Sequence, residues 1–427
     1  MNTILRGTAP SRTRTVTNMM PSATAMCTFR TSIIGTVIEG LRALAIASFA
    51  AAACAAPYVP KDDATVLERL PVRPGDPIAR ELRQLRAELT ADPRKRETAV
   101  RLAGRYFELA SSEGDPRYVG YAQAALKPWW HLPAPPLDVL VMRAILKQYS
   151  HDFSGAMRDL EAATREDPKN ARAWSWRAAI HMVQANYEKA REDCLALLKV
   201  ESELYAVGCM AYLDGTTGKA AVAHRALSAA LAKNADAPRE VKVWVLTRLA
   251  EMSLRQGDVK QAEGHFRAAY FEPINDQFLL AAYADFLLDQ GRPDEVIPLL
   301  VDWVKSDILL LRLALAEQAL KSPKAREHIE ALRSRFDAAA LRGDKLHQQE
   351  EARFNLYLLG NKEKALALAR ENWKLQREPR DARMLLEAAL AMKDPEAAQE
   401  ALDWLERSGH EDPLLRRTAE KLKALKR

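Results

Sequence analysis

A short apolar pattern recurs along this chain at a nearly constant interval of roughly 34 residues. It places an alanine first, an apolar residue four positions later and another three positions after that, as in Ala156, Leu160 and Ala163. Further occurrences, some of them partial, begin at Ala190, Ala223, Ala262 and Val296, at intervals of 34, 33, 39 and 34 residues, and at Ala365 and Ala398, which lie 33 residues apart. A sustained period of this length indicates an array of one repeated unit rather than several unrelated domains.

Each unit is predicted to be a hairpin of two helices. A small residue stands twelve positions before the start of the pattern in several units, at Ala144, Ala178, Ala211, Ala250 and Ala284. Small side chains on both facing surfaces allow two helices to pack closely. Gly257 and Gly360 lie midway in their units, where glycine can adopt the left-handed conformation that ends a first helix. Asp258 and Asn361 can then cap the second helix.

These units resemble tetratricopeptide repeats, whose pattern sets Trp, Leu, a small residue, Tyr, Ala, Phe, Ala and Pro at fixed intervals within each repeat. The unit that begins at Val243 matches this pattern at Leu246, Leu249, Ala250, Ala262, Phe266 and Ala269. The resemblance covers residues 77–412, with residues 306–346 as a degenerate and longer pair of helices. It implies an all-α fold, a right-handed α-solenoid of tetratricopeptide-type helical hairpins.

The sequence is expected to divide into an N-terminal leader (1–56), a Pro-rich linker (57–76), the repeat array (77–412) and a C-terminal capping helix (413–427). Within the leader, Arg42 precedes an uncharged apolar stretch of 11 residues, Ala43–Ala53. That length is typical of an export signal and falls short of the ~20 residues that span a bilayer. The protein is therefore expected to be exported to the periplasm.

Two ways of processing the leader stay open. The run from Ala51 to Cys54 resembles a permissive bacterial lipobox, which would make Cys54 an acylated first residue and the protein a membrane-anchored lipoprotein. Ordinary signal-peptide cleavage after Ala55 or Ala56 is equally consistent with the sequence, because small residues precede both positions in the pattern that such cleavage requires. The membrane is expected to be a partner only through such a lipid anchor.

The four cysteines point to one candidate disulfide. Cys27 and Cys54 lie in the leader, which leaves Cys194 and Cys209 as the pair in the folded part. In an oxidising compartment these two can form a disulfide, and the alternative is two buried thiols. The spacing of the cysteines and of the eight histidines does not fit a zinc site, so no metal and no cofactor is expected.

The charge of the chain argues against nucleic acid as a partner. The formal net charge is +6, and the leader holds five arginines and one glutamate, a net charge of 5 − 1 = +4. The remainder therefore carries only +2, with charges of both signs interspersed. A protein that binds the phosphate backbone is expected to be more basic than this.

The sequence lacks the usual motifs of catalysis. HExxH, GxSxG and GxGxxG are all absent. Residues 215–220 share part of a phosphate-binding loop, but Leu213 replaces its first glycine and Ala220 its Ser or Thr, so we interpret the segment as a hairpin turn. After the repeats are assigned, the remaining segments of the mature chain are too short for a separate catalytic domain. We expect a non-catalytic protein.

The resemblance implies that the first helix of each hairpin lines a concave surface on which partner segments bind. Carried over to this sequence, the partner-binding residues are Tyr212, Thr247, Glu251, Ala281, Asp285, Glu350 and Glu387. The carboxylates predict an acidic groove, which would suit a partner segment bearing Lys or Arg. The leading hypothesis is a protein–protein interaction scaffold or adaptor of the bacterial cell envelope, which binds other envelope proteins.

A second hypothesis is a periplasmic protein that binds a small molecule or a glycan. It would use a pocket between hairpins, lined by Trp174, Trp176, Tyr205 and Tyr212. Aromatic side chains of this kind provide large apolar contact areas, but they also pack commonly between neighbouring helices.

Overall fold

The computed structural model describes residues 76–343 and 346–425. The predicted leader with Cys54, the linker up to residue 75 and the last two residues of the predicted capping helix lie outside the described residues. The described part forms 21 α-helices and no β-strand, which confirms the all-α solenoid predicted from the repeats.

The N-terminal helices are α1 (Pro77–Ala91), α2 (Arg96–Glu113), α3 (Arg117–Ala125), α4 (Lys127–Trp130), α5 (Leu137–Tyr149), α6 (Phe153–Glu166), α7 (Ala171–Val183) and α8 (Tyr187–Leu197). The central helices are α9 (Glu203–Thr216), α10 (Ala220–Lys233), α11 (Arg239–Arg255), α12 (Val259–Tyr270), α13 (Gln277–Asp289) and α14 (Pro293–Leu300). The C-terminal helices are α15 (Asp307–Ala319), α16 (Ala325–Leu341), α17 (Gln348–Phe354), α18 (Lys362–Leu375), α19 (Pro379–Met392), α20 (Gln399–Ser408) and α21 (Pro413–Ala424). A π-helical turn (Asn355–Leu359) follows α17, and a 3-10 turn (Glu396–Ala398) precedes α20.

Consecutive helices pair as hairpins, and the hairpins stack on one another. Helix α5 packs against α6, α7 against α8, α9 against α10 and α11 against α12. The first helices of successive hairpins also touch, so α5, α7, α9, α11, α13, α15, α17 and α19 form one continuous layer. A single hairpin cannot bury its apolar surface alone, so this layer forms only when neighbouring hairpins stack on one another. This layer carries the residues of the predicted groove.

The small residues of the repeat lie where the helices approach most closely. Ala144, Ala156, Ala190 and Ala262 are completely buried. Large side chains fill the space between them. The ring of Phe266, for example, lies 5.4 Å from the rings of both Tyr283 and Phe286. The pattern seen in the sequence is therefore the packing pattern of the core.

The turns within hairpins follow the chemistry predicted for them. Gly257 and Gly360 adopt φ values of +76° and +68°, and the side chain of Asp258 accepts a hydrogen bond from the backbone N–H of Gln261 at the start of α12. Asn361 caps α18 in the same way. Glycine suits the left-handed position because it lacks a Cβ atom.

Both ends of the array contact its middle. The Gln277 side chain on α13 donates a hydrogen bond to the carbonyl of Ser111 at the end of α2, at 3.0 Å. From the other end, Glu411 accepts a hydrogen bond of 2.8 Å from the backbone N–H of Ala220 at the start of α10. Helix α21, which the sequence predicts to be a capping helix, packs against α19 of the inner layer.

Candidate functional site

The inner layer of helices surrounds a central cavity of about 370 Å³. Its lining comes mainly from widely separated parts of the chain: the end of α2, the helices α9, α11, α13, α15 and α19, and His410, Asp412 and Leu415, which follow α20. Cavities of 300–1,000 Å³ are typical of small-ligand sites, and the wall combines aromatic, apolar and charged side chains. This cavity is the candidate site.

A stacked arginine forms one wall of the cavity. The Arg248 guanidinium lies 4.2 Å from the centre of the Tyr212 ring and 4.4 Å from the centre of the Phe278 ring. Its Nη1 atom also donates a hydrogen bond of 2.8 Å to Glu251. An arginine held between two rings gains cation–π attraction that is strongest where water is excluded.

A second carboxylate reaches this wall from the C-terminal part of the chain. The Tyr212 hydroxyl donates a hydrogen bond of 3.0 Å to Oε1 of Glu378, 166 residues further along the chain. Burial raises the pKa of Glu378, but the positive charges of Arg380 and Arg248 and the hydrogen bond from Tyr212 outweigh burial, so that its pKa lies below the usual value. Glu378 is therefore ionised at neutral pH.

Asp285 stands between two arginines. It accepts hydrogen bonds of 2.8 Å from Arg312 and 2.6 Å from Arg353, which lies 68 residues away in sequence. Burial acts to raise the pKa of Asp285, yet the two guanidinium groups lower it far below its usual range. The negative charge of Asp285, which the sequence placed on the predicted partner-binding groove, is thus neutralised by two arginines of the same chain.

Arg383 on α19 organises the remaining charges. It donates two hydrogen bonds, of 2.7 and 2.6 Å, to the Asp289 carboxylate on α13. Its Nε atom donates to Glu387 at 2.9 Å, and the Tyr357 hydroxyl donates to the other oxygen of Glu387 at 2.7 Å. This two-pronged geometry is the strong form of an arginine–carboxylate pair. It joins the middle of the array to its C-terminal part.

Four of the seven residues predicted for the groove line the cavity: Tyr212, Glu251, Ala281 and Asp285. Thr247 is buried, with its hydroxyl donating to the carbonyl of Val243. Glu350 is also buried, and one of its carboxylate oxygens lies 3.9 Å from Nδ1 of His347. Glu387 lies beside the cavity in the cluster around Arg383. Their role in binding a partner stays a prediction.

The expectation of a free acidic groove is wrong for the folded chain, because arginines already pair with Glu251, Asp285 and Glu387. Arg248 and Glu251 are three positions apart on one helix, and Arg383 and Glu387 are four apart, so these two pairs could have been read from the sequence. The pairing of Arg353 with Asp285 depends on the coiling of the whole array. Local spacing carries no signal for it.

The aromatic residues of the alternative pocket are not brought together into one site. Tyr212 lines the cavity. Trp176 packs edge-on against Phe107, with ring centres 5.9 Å apart, and Tyr205 packs against Trp244 at 5.2 Å. Trp174 donates a hydrogen bond from its indole N–H to the carbonyl of Pro168. These contacts serve the packing between hairpins.

Cys194 on α8 and Cys209 on α9 form a disulfide, with Cα atoms 5.7 Å apart. The bond joins the second helix of one hairpin to the first helix of the next. It closes a loop with a sequence separation of 15.

Residues 76–343 and 346–425 contain no group of three or more His, Cys, Asp or Glu placed to hold a metal ion. No helix among those residues combines the length and the apolar character needed to cross a membrane.

Comparison with known proteins agrees with the hairpin architecture. Residues 141–203 and 210–277 match the model of the tetratricopeptide repeat family. No curated protein matches the chain.

Solved structures give weak superpositions. A tetratricopeptide repeat protein from Parabacteroides merdae is 17% identical, covers 66% of this chain and 98% of its own, and has a TM-score of 0.34. Yeast Tom70 is 14% identical over 82% of this chain and 58% of its own, with a TM-score of 0.36. The P58(IPK) TPR domain is 14% identical over 82% and 98%, with a TM-score of 0.21. At such scores these neighbours carry no argument about function.

Proposed function

We propose that this protein is a non-catalytic interaction scaffold or adaptor of the bacterial cell envelope that binds a segment of another protein on its concave face. The observation that carries the proposal is the central cavity, where the inner helices of the repeats present Tyr212, Arg248 and Phe278 on one wall. Aromatic and arginine side chains of this kind dominate the energetics of protein interfaces. Tetratricopeptide repeats expose such a surface to partner proteins.

Two features support the envelope as the compartment. The leader combines Arg42 with an apolar stretch of the length of an export signal. The Cys194–Cys209 disulfide belongs to an oxidising compartment such as the periplasm, because the cytosol keeps most thiols reduced. Acylation of Cys54 would add a lipid anchor, and cleavage after Ala55 or Ala56 would release a periplasmic protein.

The test is capture of the tagged protein from its host after mild crosslinking, with mass spectrometry of the captured proteins and of the mature N-terminus. Ala282→Arg places a long charged side chain in the cavity wall, since Ala282 is half-buried there. Ala226→Arg makes the same change at an exposed position of α10 and is the matched control. Circular dichroism confirms that both variants are folded.

The proposal expects a stoichiometric envelope partner that Ala226→Arg retains and Ala282→Arg loses. Capture of the protein alone would overturn the scaffold function. Equal capture by both variants would place the interaction away from the cavity and overturn the proposed site. An N-terminus that retains the leader would overturn export.

A second candidate function is binding of a small molecule, which the cavity volume favours. About 370 Å³ suits a compact ligand better than a folded partner element. A ligand that binds only the native state raises its thermal stability, so a screen of metabolites and glycans by thermal shift tests this function directly. It expects a shift that Ala282→Arg abolishes.

A further inference from the structure

The three residues that connect α18 to α19 have an extended backbone and lie against the end of α7. Gln376 has φ −125° and ψ 134°, and Glu378 has φ −84° and ψ 164°. Between them, the backbone N–H of Arg377 donates a hydrogen bond of 2.7 Å to the carbonyl of Val183, the last residue of α7. We name residues 376–378 the resident segment. Its extended backbone and main-chain hydrogen bond are the features of a bound peptide.

The acidic side chain of the resident segment, Glu378, is held at the wall of the cavity. Glu378 accepts the hydrogen bond from the Tyr212 hydroxyl at 3.0 Å and lies in the field of the Arg248 guanidinium. Its own neighbour Arg380 pairs with the second carboxylate oxygen at 2.7 Å. Hydrogen bonds to an ionised group are roughly twice as strong as neutral ones. We call the Tyr212 hydroxyl and the Arg248 guanidinium together the Tyr212–Arg248 subsite. Because both groups interact more strongly with an ionised partner, this subsite favours a carboxylate over an amide of the same shape.

The subsite opens onto the central cavity. Tyr212, Arg248, Glu378 and Arg380 all line it. The Arg380 side chain remains 49% exposed although it pairs with Glu378. An incoming segment can thus approach the subsite through space that the array already encloses.

We propose that the Tyr212–Arg248 subsite recognises a partner protein through an acidic residue in an extended segment, and that the resident segment occupies this subsite until the partner displaces it. The inference rests on the proposed scaffold function and names the chemistry of its partner. It reverses the charge expected from the sequence, since the groove was predicted to attract Lys or Arg. The resident segment belongs to the same chain as the subsite and therefore has a high effective concentration there. A separate partner segment competes with it, and binds tightly only when the interaction between Glu378 and the subsite is weakened.

The experiment uses the full chain and a synthetic peptide with the sequence of residues 375–380, Leu-Gln-Arg-Glu-Pro-Arg, blocked at both ends and labelled for fluorescence anisotropy. Glu378→Ala removes the resident carboxylate, so that the Tyr212 hydroxyl can donate to the carboxylate of the peptide in the field of the Arg248 guanidinium. The matched control is Glu363→Ala, at an exposed position of α18. A second peptide carries Gln in place of its Glu.

The proposal expects the Glu peptide to bind the Glu378→Ala chain at least tenfold more tightly than it binds the wild type or the Glu363→Ala chain. It expects the Gln peptide to bind that variant at least fivefold more weakly than the Glu peptide. Adding Tyr212→Phe to Glu378→Ala should remove most of this preference, because the hydroxyl that donates to the carboxylate is lost.

Equal binding of the two peptides, or no binding to a folded Glu378→Ala chain, overturns the proposal. If Glu378→Ala does not fold, Glu378→Gln replaces it, because that variant keeps the shape of the side chain and removes only its charge. A gain of peptide binding smaller than threefold in a folded Glu378→Gln chain overturns the proposal equally. The scaffold function is judged separately, by capture from the host, and survives a negative peptide result.

Discussion

Arg143 and Asp159 form a buried ion pair through two hydrogen bonds, of 2.8 and 2.7 Å, and so join α5 to α6. The same guanidinium donates to the carbonyls of Trp130 and Leu132, and so fixes the end of the short helix α4 against this hairpin. Lys147 adds a second cation, 2.7 Å from Asp159. One carboxylate thus satisfies donors from two turns of α5.

Replacing Asp159 with alanine should therefore destabilise the fold strongly. The variant leaves Arg143 charged, buried and without its carboxylate, and loss of one partner from a buried pair costs about 3–5 kcal/mol. The measurement is urea denaturation followed by circular dichroism. The control is Glu330→Ala, in the exposed pair with Arg333, where a change within about 1 kcal/mol is expected. Equal losses in the two variants would contradict the importance of the buried pair.

Gly208 on α9 is required by a close contact with Trp244. A Cβ atom at this position would lie 2.3 Å from an atom of the Trp244 ring, far inside van der Waals distance. We expect Gly208→Ala to lower the free energy of unfolding by about 1–3 kcal/mol, because the indole ring must move.

Gly264→Ala is the matched control for Gly208→Ala. Gly264 lies within α12, and an added Cβ would meet nothing within 4 Å. Alanine there should stabilise the helix by up to about 1 kcal/mol. Thermal melts of both variants provide the measurement, and a stabilised Gly208→Ala variant would show that the contact between α9 and α11 is looser than described.

His410 should make the protein less stable in acid. Burial and the nearby positive charge of Arg255 lower the pKa of His410 to about 3, although its Nδ1 contacts the carbonyl of Thr216 at 3.0 Å. In the unfolded chain its pKa is about 6.5. The unfolded state therefore takes up a proton first as the pH falls, and stability present above pH 6.5 is lost progressively towards pH 3.

The expected contribution of His410 between pH 7 and pH 4 is about 2–3 kcal/mol. It is measured as the slope of unfolding free energy against pH. His410→Asn should flatten this slope, whereas His131→Asn, at an exposed position, should leave it unchanged. His151 and His181, whose pKa values burial lowers to about 4, would account for the remaining slope. If the free energy of unfolding of His410→Asn depended on pH as steeply as that of the wild type, His410 would not be a buried neutral imidazole.

The Cys194–Cys209 bond should contribute measurably to stability. Closing a loop with a sequence separation of 15 restricts the unfolded chain and stabilises the fold by about 3 kcal/mol in the chain-entropy description. Denaturation with and without a thiol reductant measures the effect, and the Cys194→Ser/Cys209→Ser chain should be insensitive to the reductant. Two free thiols in the purified protein, detected by mass spectrometry after alkylation, would refute the bond.

The local part of the fold could be predicted from the sequence because its determinants are local. Alanines such as Ala156 and Ala262 mark helix contacts within a hairpin, and Gly257 with Asp258 marks its turn, all within the length of a single repeat. The long-range contacts have no such signal. Tyr212 meets Glu378 only because small rotations between hairpins add up over the array. The sequence could therefore place Tyr212 on the concave face but could not show which group it faces.

The contacts between the ends and the middle of the array change how such a chain should unfold. In an open solenoid each hairpin touches only its neighbours, so the array can come apart piece by piece. Here the hydrogen bonds from Gln277 to Ser111 and from Trp404 to Tyr187 link residues 166 and 217 positions apart. Loss of the last two helices would therefore weaken hairpins in the middle of the array. We therefore expect the repeats to unfold as one cooperative unit, and to fold more slowly than an open array because contacts between distant residues must form.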